Sequence, residues 1–141
     1  MFTNILVPTD GSELAEKAFS AAIAFAKEVG ARITGYYAMP PVGAQVVGDG
    51  YLFPAGGKHR DSGSKFMTRL ARLAGEAGVR FDAVVSESAD PAEGIAEAAK
   101  RNACDVIFMA SHGRRGLDRL AEGSVTADVL AKAKVPVLVY R

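Results

Sequence analysis

Short apolar runs recur along the chain, separated by longer stretches with a helical spacing of apolar residues. The runs occupy residues 4–8, 32–39, 80–85, 105–110 and 136–140. Three of them are nearly continuous in β-branched and large apolar residues, which is typical of strands buried on both faces. The pattern therefore predicts five strands in a parallel sheet that helices cover.

The stretches between the runs carry apolar residues along one stripe of a helix. The first two stripes are Leu14, Ala18, Ala22, Phe25 and Val29, and then Phe66, Leu70, Leu73 and Ala77. The third helix begins at residues 90–93, DPAE, where Asp90 is the predicted N-cap and Glu93 the second member of a capping box. The predicted buried side of the fourth is Val125, Val129 and Ala133. Four helices therefore alternate with the five strands.

Strict alternation of strands and helices predicts right-handed crossovers and an open, doubly wound α/β fold. The expected strand order is 3-2-1-4-5, the flavodoxin- or Rossmann-like order, with helices on both faces. The 141 residues suit a single domain over residues 1–141. One stretch, residues 40–63, has three prolines and six glycines and predicts a long irregular loop. That loop is either a functional lid or a tolerated insertion.

Composition narrows the classes of function. Hydrophobic residues make up 49% and charged residues 23% of the chain, a balance typical of folded domains. The net charge of +1 gives no general attraction to nucleic acid or to an anionic membrane, so neither is expected as a partner. The one cysteine, Cys104, excludes an internal disulfide and a cysteine-based zinc cluster. With no signal-peptide pattern and no long apolar span, we expect a cytoplasmic protein.

Two glycine-containing loops follow strands that border the predicted strand-order reversal. They are PTDGS, residues 8–12, and SHGRRGLDRLAEGS, residues 111–124. The second leads into a helix start, where backbone N–H groups and the helix dipole favour an anion. Its glycines allow close approach of a phosphate chain, and its arginines can neutralise phosphate charge. From the residues alone, an idle solvated connector is about as good an interpretation.

Other nucleotide fingerprints are missing from the chain. GGKH at residues 56–59 lacks the upstream glycine and the following Ser or Thr of a P-loop, and no GxGxxG follows the first strand. A hydrolytic site is equally unsupported. His112 is the one histidine near the second loop, no HExxH occurs, and a lone histidine beside a glycine is more often an ordinary loop residue.

The whole chain resembles the universal stress proteins, of which one branch binds ATP. The resemblance rests on NILVPTDGSELAEKA at the start and on the stretch from DPAEGIAEAAK to PVLVYR at the end. The ATP-binding branch carries G-x2-G-x9-G-(S/T), and Gly113, Gly123 and Ser124 match its later positions. Ala110 stands where the motif has its first glycine, which is a departure from the pattern.

The resemblance implies a set of nucleotide-binding residues. Pro8, Thr9 and Asp10 would line the adenosine side, with Asp10 near the ribose and the backbone around Tyr37 at the adenine edge. Met109, Ala110, Gly113 and Arg114 would border the ribose and the first phosphates, and Gly123, Ser124, Val125 and Thr126 would hold the phosphate tail. Mg²⁺ would arrive mainly on the phosphates of ATP. A homodimer through the last strand, residues 136–140, is also implied.

The expected function is that of an ATP-binding regulatory protein of the stress response, which senses nucleotide rather than acting as an enzyme. Two alternatives stay open at this point. One is a dimeric stress adaptor with an empty crevice, for which Ala110 is the hint in the sequence. The other is a slow ATPase, which would need a positioned base and a group that stabilises the developing phosphoryl charge.

Overall fold

A computed structural model describes residues 1–11, 13–39, 58–111 and 125–141, and the account below is confined to them. The elements alternate without exception between strand and helix. They are β1 (Asn4–Thr9), α1 (Glu13–Val29), β2 (Arg32–Met39), α2 (Lys58–Glu76), β3 (Phe81–Glu87), α3 (Pro91–Arg101), β4 (Val106–Ala110), α4 (Val125–Lys132) and β5 (Val137–Tyr140).

The five strands form one parallel sheet in the order β3-β2-β1-β4-β5, which confirms the predicted doubly wound α/β topology. The central strands β1 and β4 are buried along almost their whole length, as their continuous apolar sequences predict. The outer strands β3 and β5 alternate between half-buried and exposed positions. The sheet therefore has two edges, one formed by β3 and one by β5.

Each face of the sheet buries its own apolar cluster. On the face that α1 and α2 cover, Phe19 and Leu70 pack onto Ile5 and Ile33 with no exposed surface. On the face that α3 and α4 cover, the cluster includes Leu6, Ile107, Ile95 and Val129. Among the helices of the described ranges, none has an apolar stretch long enough to cross a bilayer.

The helix boundaries follow the local signals in the sequence. Gly30 and Gly78 come directly after α1 and α2 or one residue later, and both have a left-handed φ, +72° and +75°. Asp90 is the N-cap of α3, since its carboxylate accepts hydrogen bonds from the N–H groups of Ala92 and Glu93. These three boundary predictions are confirmed.

The same carboxylate also links two helices. Lys132, in the last turn of α4, donates to Asp90 Oδ2 at 2.6 Å. The Lys132 ammonium, together with the N–H of Glu93, lowers the pKa of Asp90 below its ordinary value. The pair therefore ties the start of α3 to the end of α4 on the surface of the protein.

Three details differ from the sequence-based expectations. The irregular loop predicted to run to residue 63 ends sooner, because α2 begins at Lys58. Val125, predicted on the buried side of the fourth helix, is 39% exposed because it is the first residue of α4, while Val129 one turn later is fully buried. In α1, Phe19 is completely buried although it lies outside the predicted stripe.

Asp105 fastens the start of β1 to the start of β4. Its Oδ2 accepts from the backbone N–H of Thr3 at 2.7 Å and from the Thr3 hydroxyl at 2.9 Å, and its Oδ1 accepts from the N–H of Asn4 at 3.2 Å. Burial by itself raises the pKa of Asp105, but these hydrogen bonds to the carboxylate outweigh it, so the pKa is lowered.

Replacing Asp105 with asparagine is expected to cost about 1–2 kcal/mol of unfolding free energy at pH 7, since one amide cannot accept all three hydrogen bonds. A lowered native pKa means that the carboxylate stabilises the fold above its unfolded pKa of about 4 and that this contribution disappears as the pH falls through the native value. The difference between the parent and Asp105→Asn should therefore shrink below about pH 4. Urea unfolding across pH measures it.

The matched control for that substitution is Asp82→Asn. Asp82 makes an exposed ion pair with Arg32 at 3.4 Å and no such cluster of hydrogen bonds, so its loss should change stability little. An equal pH dependence for the two variants would contradict the role given to Asp105.

Candidate functional site at the point of strand-order reversal

A crevice opens between β1 and β4 at their carboxyl ends. The two strands pair at Ile5–Val106 and Leu6–Ile107, yet both continue for three residues beyond, to Thr9 and Ala110. On its other side β1 stays paired with β2 as far as Thr9–Tyr37. Strand order reverses between β1 and β4, which is where open α/β sheets bind ligands.

The end of β1 forms one wall of this crevice. Thr9 is 8% exposed, and its Oγ1 accepts a hydrogen bond from the N–H of Gly11 at 3.2 Å. Gly11 has a φ of +79°, a left-handed conformation that glycine adopts without strain. This tight turn leaves Asp10 half-buried immediately beyond the strand, in a place where its carboxylate can meet a hydroxyl.

The end of β4 and the first turn of α4 form the opposite wall. The Thr126 hydroxyl lies 3.1 Å from the Ala110 carbonyl oxygen and 3.3 Å from that of Ser111, and donates to them. These contacts hold the N-terminus of α4 above the end of the strand. On the outer side, the N–H of Ser111 donates to the Tyr140 carbonyl at 2.8 Å, so the first residue after β4 stays tied to β5.

Ser111 is the residue that the sequence-based set of binding residues does not contain. Its side chain is 5% exposed, and its Oγ is a buried polar atom with no hydrogen-bond partner. Buried hydroxyls are nearly always paired, because an unpaired one loses its hydrogen bonds to water without replacement. The signal in the sequence is its position, since Ser111 is the first residue of the second glycine-containing loop.

Two predicted site residues turn their side chains into the core instead of the crevice. Tyr37 packs in the cluster beneath α1 and α2, where a Cβ on Gly63 would lie 3.1 Å from its ring. Met109 belongs to the cluster beneath α3 and α4 and is 6% exposed. Both residues can therefore offer a ligand only their backbone atoms, which is the role expected of Tyr37.

The structure brings part of the predicted set together. Pro8, Thr9 and Asp10 lie at one wall, and Ala110 and Thr126 at the other, with Val125 beside Thr126 and half-exposed toward solvent. The remaining predicted residues, Gly113, Arg114, Gly123 and Ser124, lie outside the described residues, and so does His112. The Ala110 side chain packs against the cluster beneath α1.

Other candidate chemistry is weaker. In the described ranges, no three His, Cys, Asp or Glu side chains are grouped so that they could hold a metal ion. Cys104 is buried next to β4, where burial raises the pKa of its thiol, as expected of a core cysteine rather than a nucleophile.

Fold and crevice together define the class: an open α/β protein with its ligand site at the strand-order reversal. The family model of the universal stress protein family matches residues 1–141, and the chain belongs to that family. Universal stress protein MJ0531 of Methanocaldococcus jannaschii is 33% identical over 100% of this chain and 83% of its own length. A universal stress protein of Thermus aquaticus is 33% identical over the full length of both.

Solved structures agree with the fold. That of MJ0577, a universal stress protein of M. jannaschii, has a TM-score of 0.81 and 27% identity, covering 99% of this chain and 95% of that one. A universal stress protein in complex with cAMP has a TM-score of 0.77 at 20% identity, covering 99% and 97%. One from Archaeoglobus fulgidus in complex with dAMP has a TM-score of 0.73 at 17% identity, covering 99% and 98%.

Proposed function

We propose that this protein binds ATP in the crevice between β1 and β4 and serves the stress response as a nucleotide-sensing regulatory module. The observation that carries the proposal is the buried, unpartnered hydroxyl of Ser111 at the mouth of a crevice formed by diverging strands. A hydroxyl in that position is satisfied when a polar ligand enters. It therefore favours a filled crevice over the empty one of a nucleotide-free adaptor.

The nucleotide would lie with its adenosine against β1 and β2. Asp10 would accept a hydrogen bond from a ribose hydroxyl. β2 continues for two residues past its last pair with β1, so the backbone after Tyr37 extends beyond that ladder toward the adenine edge. The phosphates would run toward the first turn of α4, whose dipole favours negative charge, and Mg²⁺ would be bound chiefly by the phosphates.

Relatives support an adenine nucleotide as the ligand. Two proteins of this fold in the same family were solved as complexes with cAMP and with dAMP. What these two ligands share is the adenine base, the sugar and one phosphate. The part of the proposal that goes beyond them is the triphosphate tail, which the second loop and the start of α4 would hold.

We further propose that two copies pair through β5. This strand is an outer strand of the sheet, and its central residues Leu138 and Val139 are each 38% exposed although both are large and apolar. Leu130 on α4 adds a third apolar side chain, 55% exposed. An exposed apolar strand edge without charged residues is a template for pairing with another strand.

The test of nucleotide binding begins with the purified protein. Denaturing it and identifying the released nucleotide should give ATP, and calorimetry on the emptied protein should show ATP binding more tightly than AMP. Timed release of phosphate from bound ATP should be negligible, and steady turnover would favour the slow ATPase instead. A protein that carries no nucleotide and shows no heat with ATP would be the adaptor, and the proposal would be wrong.

Ser111→Ala is expected to weaken ATP binding about fivefold, which corresponds to the loss of one hydrogen bond of about 1 kcal/mol. The free energy of unfolding of the nucleotide-free protein should stay equal or rise, because the substitution removes a buried polar atom without a partner. Calorimetry and urea unfolding measure the two quantities separately.

The matched control is Ser20→Ala on the exposed side of α1, where the hydroxyl donates to the Glu16 carbonyl within its own helix. ATP affinity should be unchanged in this variant. If Ser111→Ala leaves the affinity unchanged as well, the hydroxyl does not meet the ligand.

A further inference from the structure

The outer edge of β3 presents backbone hydrogen-bonding groups away from the sheet. β2 is its neighbour in the strand order, and the N–H of Ile33 donates to the Arg80 carbonyl at 2.9 Å. Because backbone groups alternate in direction along a strand, the even-numbered residues of β3 face β2. Ala83 and Val85 therefore direct their N–H and C=O groups outward, and Val85 is 44% exposed.

Grooves run along both sides of this edge. Between β3 and α2 lies a groove of about 750 Å³, lined among others by Met67, Ala71, Phe81, Ala83 and Val85. Between β3 and α3, on the opposite face of the sheet, lies one of about 220 Å³, lined among others by Tyr36, Val84, Ser86, Glu93 and Glu97. Side chains of an added strand would alternate between these two grooves.

The two grooves differ in chemistry. The α2 groove is mainly apolar at its base, where Met67 and Phe81 meet. The α3 groove is acidic, since Glu87, Glu93 and Glu97 line it against one cation, Arg101, which pairs with Glu97 at 2.9 Å. Asp82, on the wall of the α2 groove, pairs with Arg32 on the neighbouring strand. Acids thus outnumber bases along the edge.

We propose that the β3 edge is a docking site for an extended segment of a partner protein, which adds to the sheet as a sixth strand. Its backbone would bond with Ala83 and Val85, its apolar side chains would enter the α2 groove, and its alternate, basic side chains would lie along the α3 groove. A second copy of this chain fits the edge poorly, because β3 against β3 would bring its own carboxylates together.

The probe is an acetylated, amidated heptapeptide in which lysine and valine alternate. Titrated into isotope-labelled protein at low salt, it should shift the amide signals of Ala83 and Val85 saturably and slow their hydrogen exchange at least about fivefold. A peptide of the same composition with its lysines and valines in two blocks, and one in which glutamate replaces lysine, should not.

Two pairs of variants separate the backbone from the charge. Val85→Pro removes an outward N–H, which an edge strand tolerates, and should weaken peptide binding about tenfold, whereas Val85→Thr keeps the N–H and should stay within about twofold. Glu93→Gln should weaken binding about twofold to threefold, while Glu28→Gln on the exposed side of α1 should not. Circular dichroism checks that each variant folds, and if Val85→Pro does not, Glu93→Gln and the exchange data decide.

Three results would overturn the proposal. One is the absence of saturable binding by the alternating peptide. Another is slow exchange at Ala83 and Val85 in the peptide-free protein, which would mean that another part of this chain already covers the edge. The third is a monomer–dimer equilibrium that Val85→Pro abolishes, which would make a second copy the occupant.

Discussion

Phe19→Ala is expected to lower the free energy of unfolding by about 3–5 kcal/mol, the largest loss of any single truncation considered for this protein. Phe19 has no exposed surface and meets the Phe81 ring edge-on, with the ring centroids 5.7 Å apart and an interplanar angle of 80°. Its ring fills the space between α1 and the sheet, and alanine would leave a cavity there. Urea unfolding followed by far-UV circular dichroism measures the loss.

The matched control is Phe25→Ala on the same helix. Phe25 is half-buried and contacts Phe2 and Phe108 near the surface, so its truncation should cost clearly less than that of Phe19. Equal losses for the two variants would contradict the packing of α1 described above.

Gly35→Ala should cost about 2 kcal/mol, although it adds only one methyl group. Gly35 lies in β2 between β1 and β3, and a Cβ there would lie 2.6 Å from two carbons of the Phe81 ring and 3.2 Å from Met67 Cε. The ring is held in place by Phe19, so either the ring or the strand must move. Thermal and urea unfolding give the change.

Gly75→Ala on α2 provides the opposite expectation with the same chemical change. Nothing lies within 4 Å of a Cβ at Gly75, and alanine favours a helix over glycine by about 0.5–1 kcal/mol. This variant should therefore be more stable than the parent. If both alanine variants shifted stability in the same direction, the close contact at Gly35 would be disproved.

Much of the fold could be predicted because its signals are local. Continuous apolar runs marked the central strands, and Gly30, Gly78 and Asp90 marked helix boundaries through φ preference and capping. Phe19 could not be placed by the same reasoning. In an alanine-rich helix, neighbouring stripes are almost equally apolar, and only the packing of α1 onto the sheet decides which of them is buried.

The candidate site was predictable in location but not in detail. Loops after neighbouring parallel strands meet at one edge of the sheet, so the two glycine-containing loops were expected to lie together. Which face Met109 points to depends on the register of β4 in the sheet, and that register is a tertiary property. The missing partner of the Ser111 hydroxyl is likewise invisible without the surrounding atoms.

The strand order has a consequence for assembly. In a dimer joined at β5, the order of strands would run 3-2-1-4-5 and then 5-4-1-2-3, so that the acidic β3 edge would stand at both outer ends. Such a particle would be bivalent for extended basic segments. A partner that carries two such segments on a tether long enough to span the joined sheets would gain from a high effective concentration at the second edge, and would bind the dimer far more tightly than the monomer.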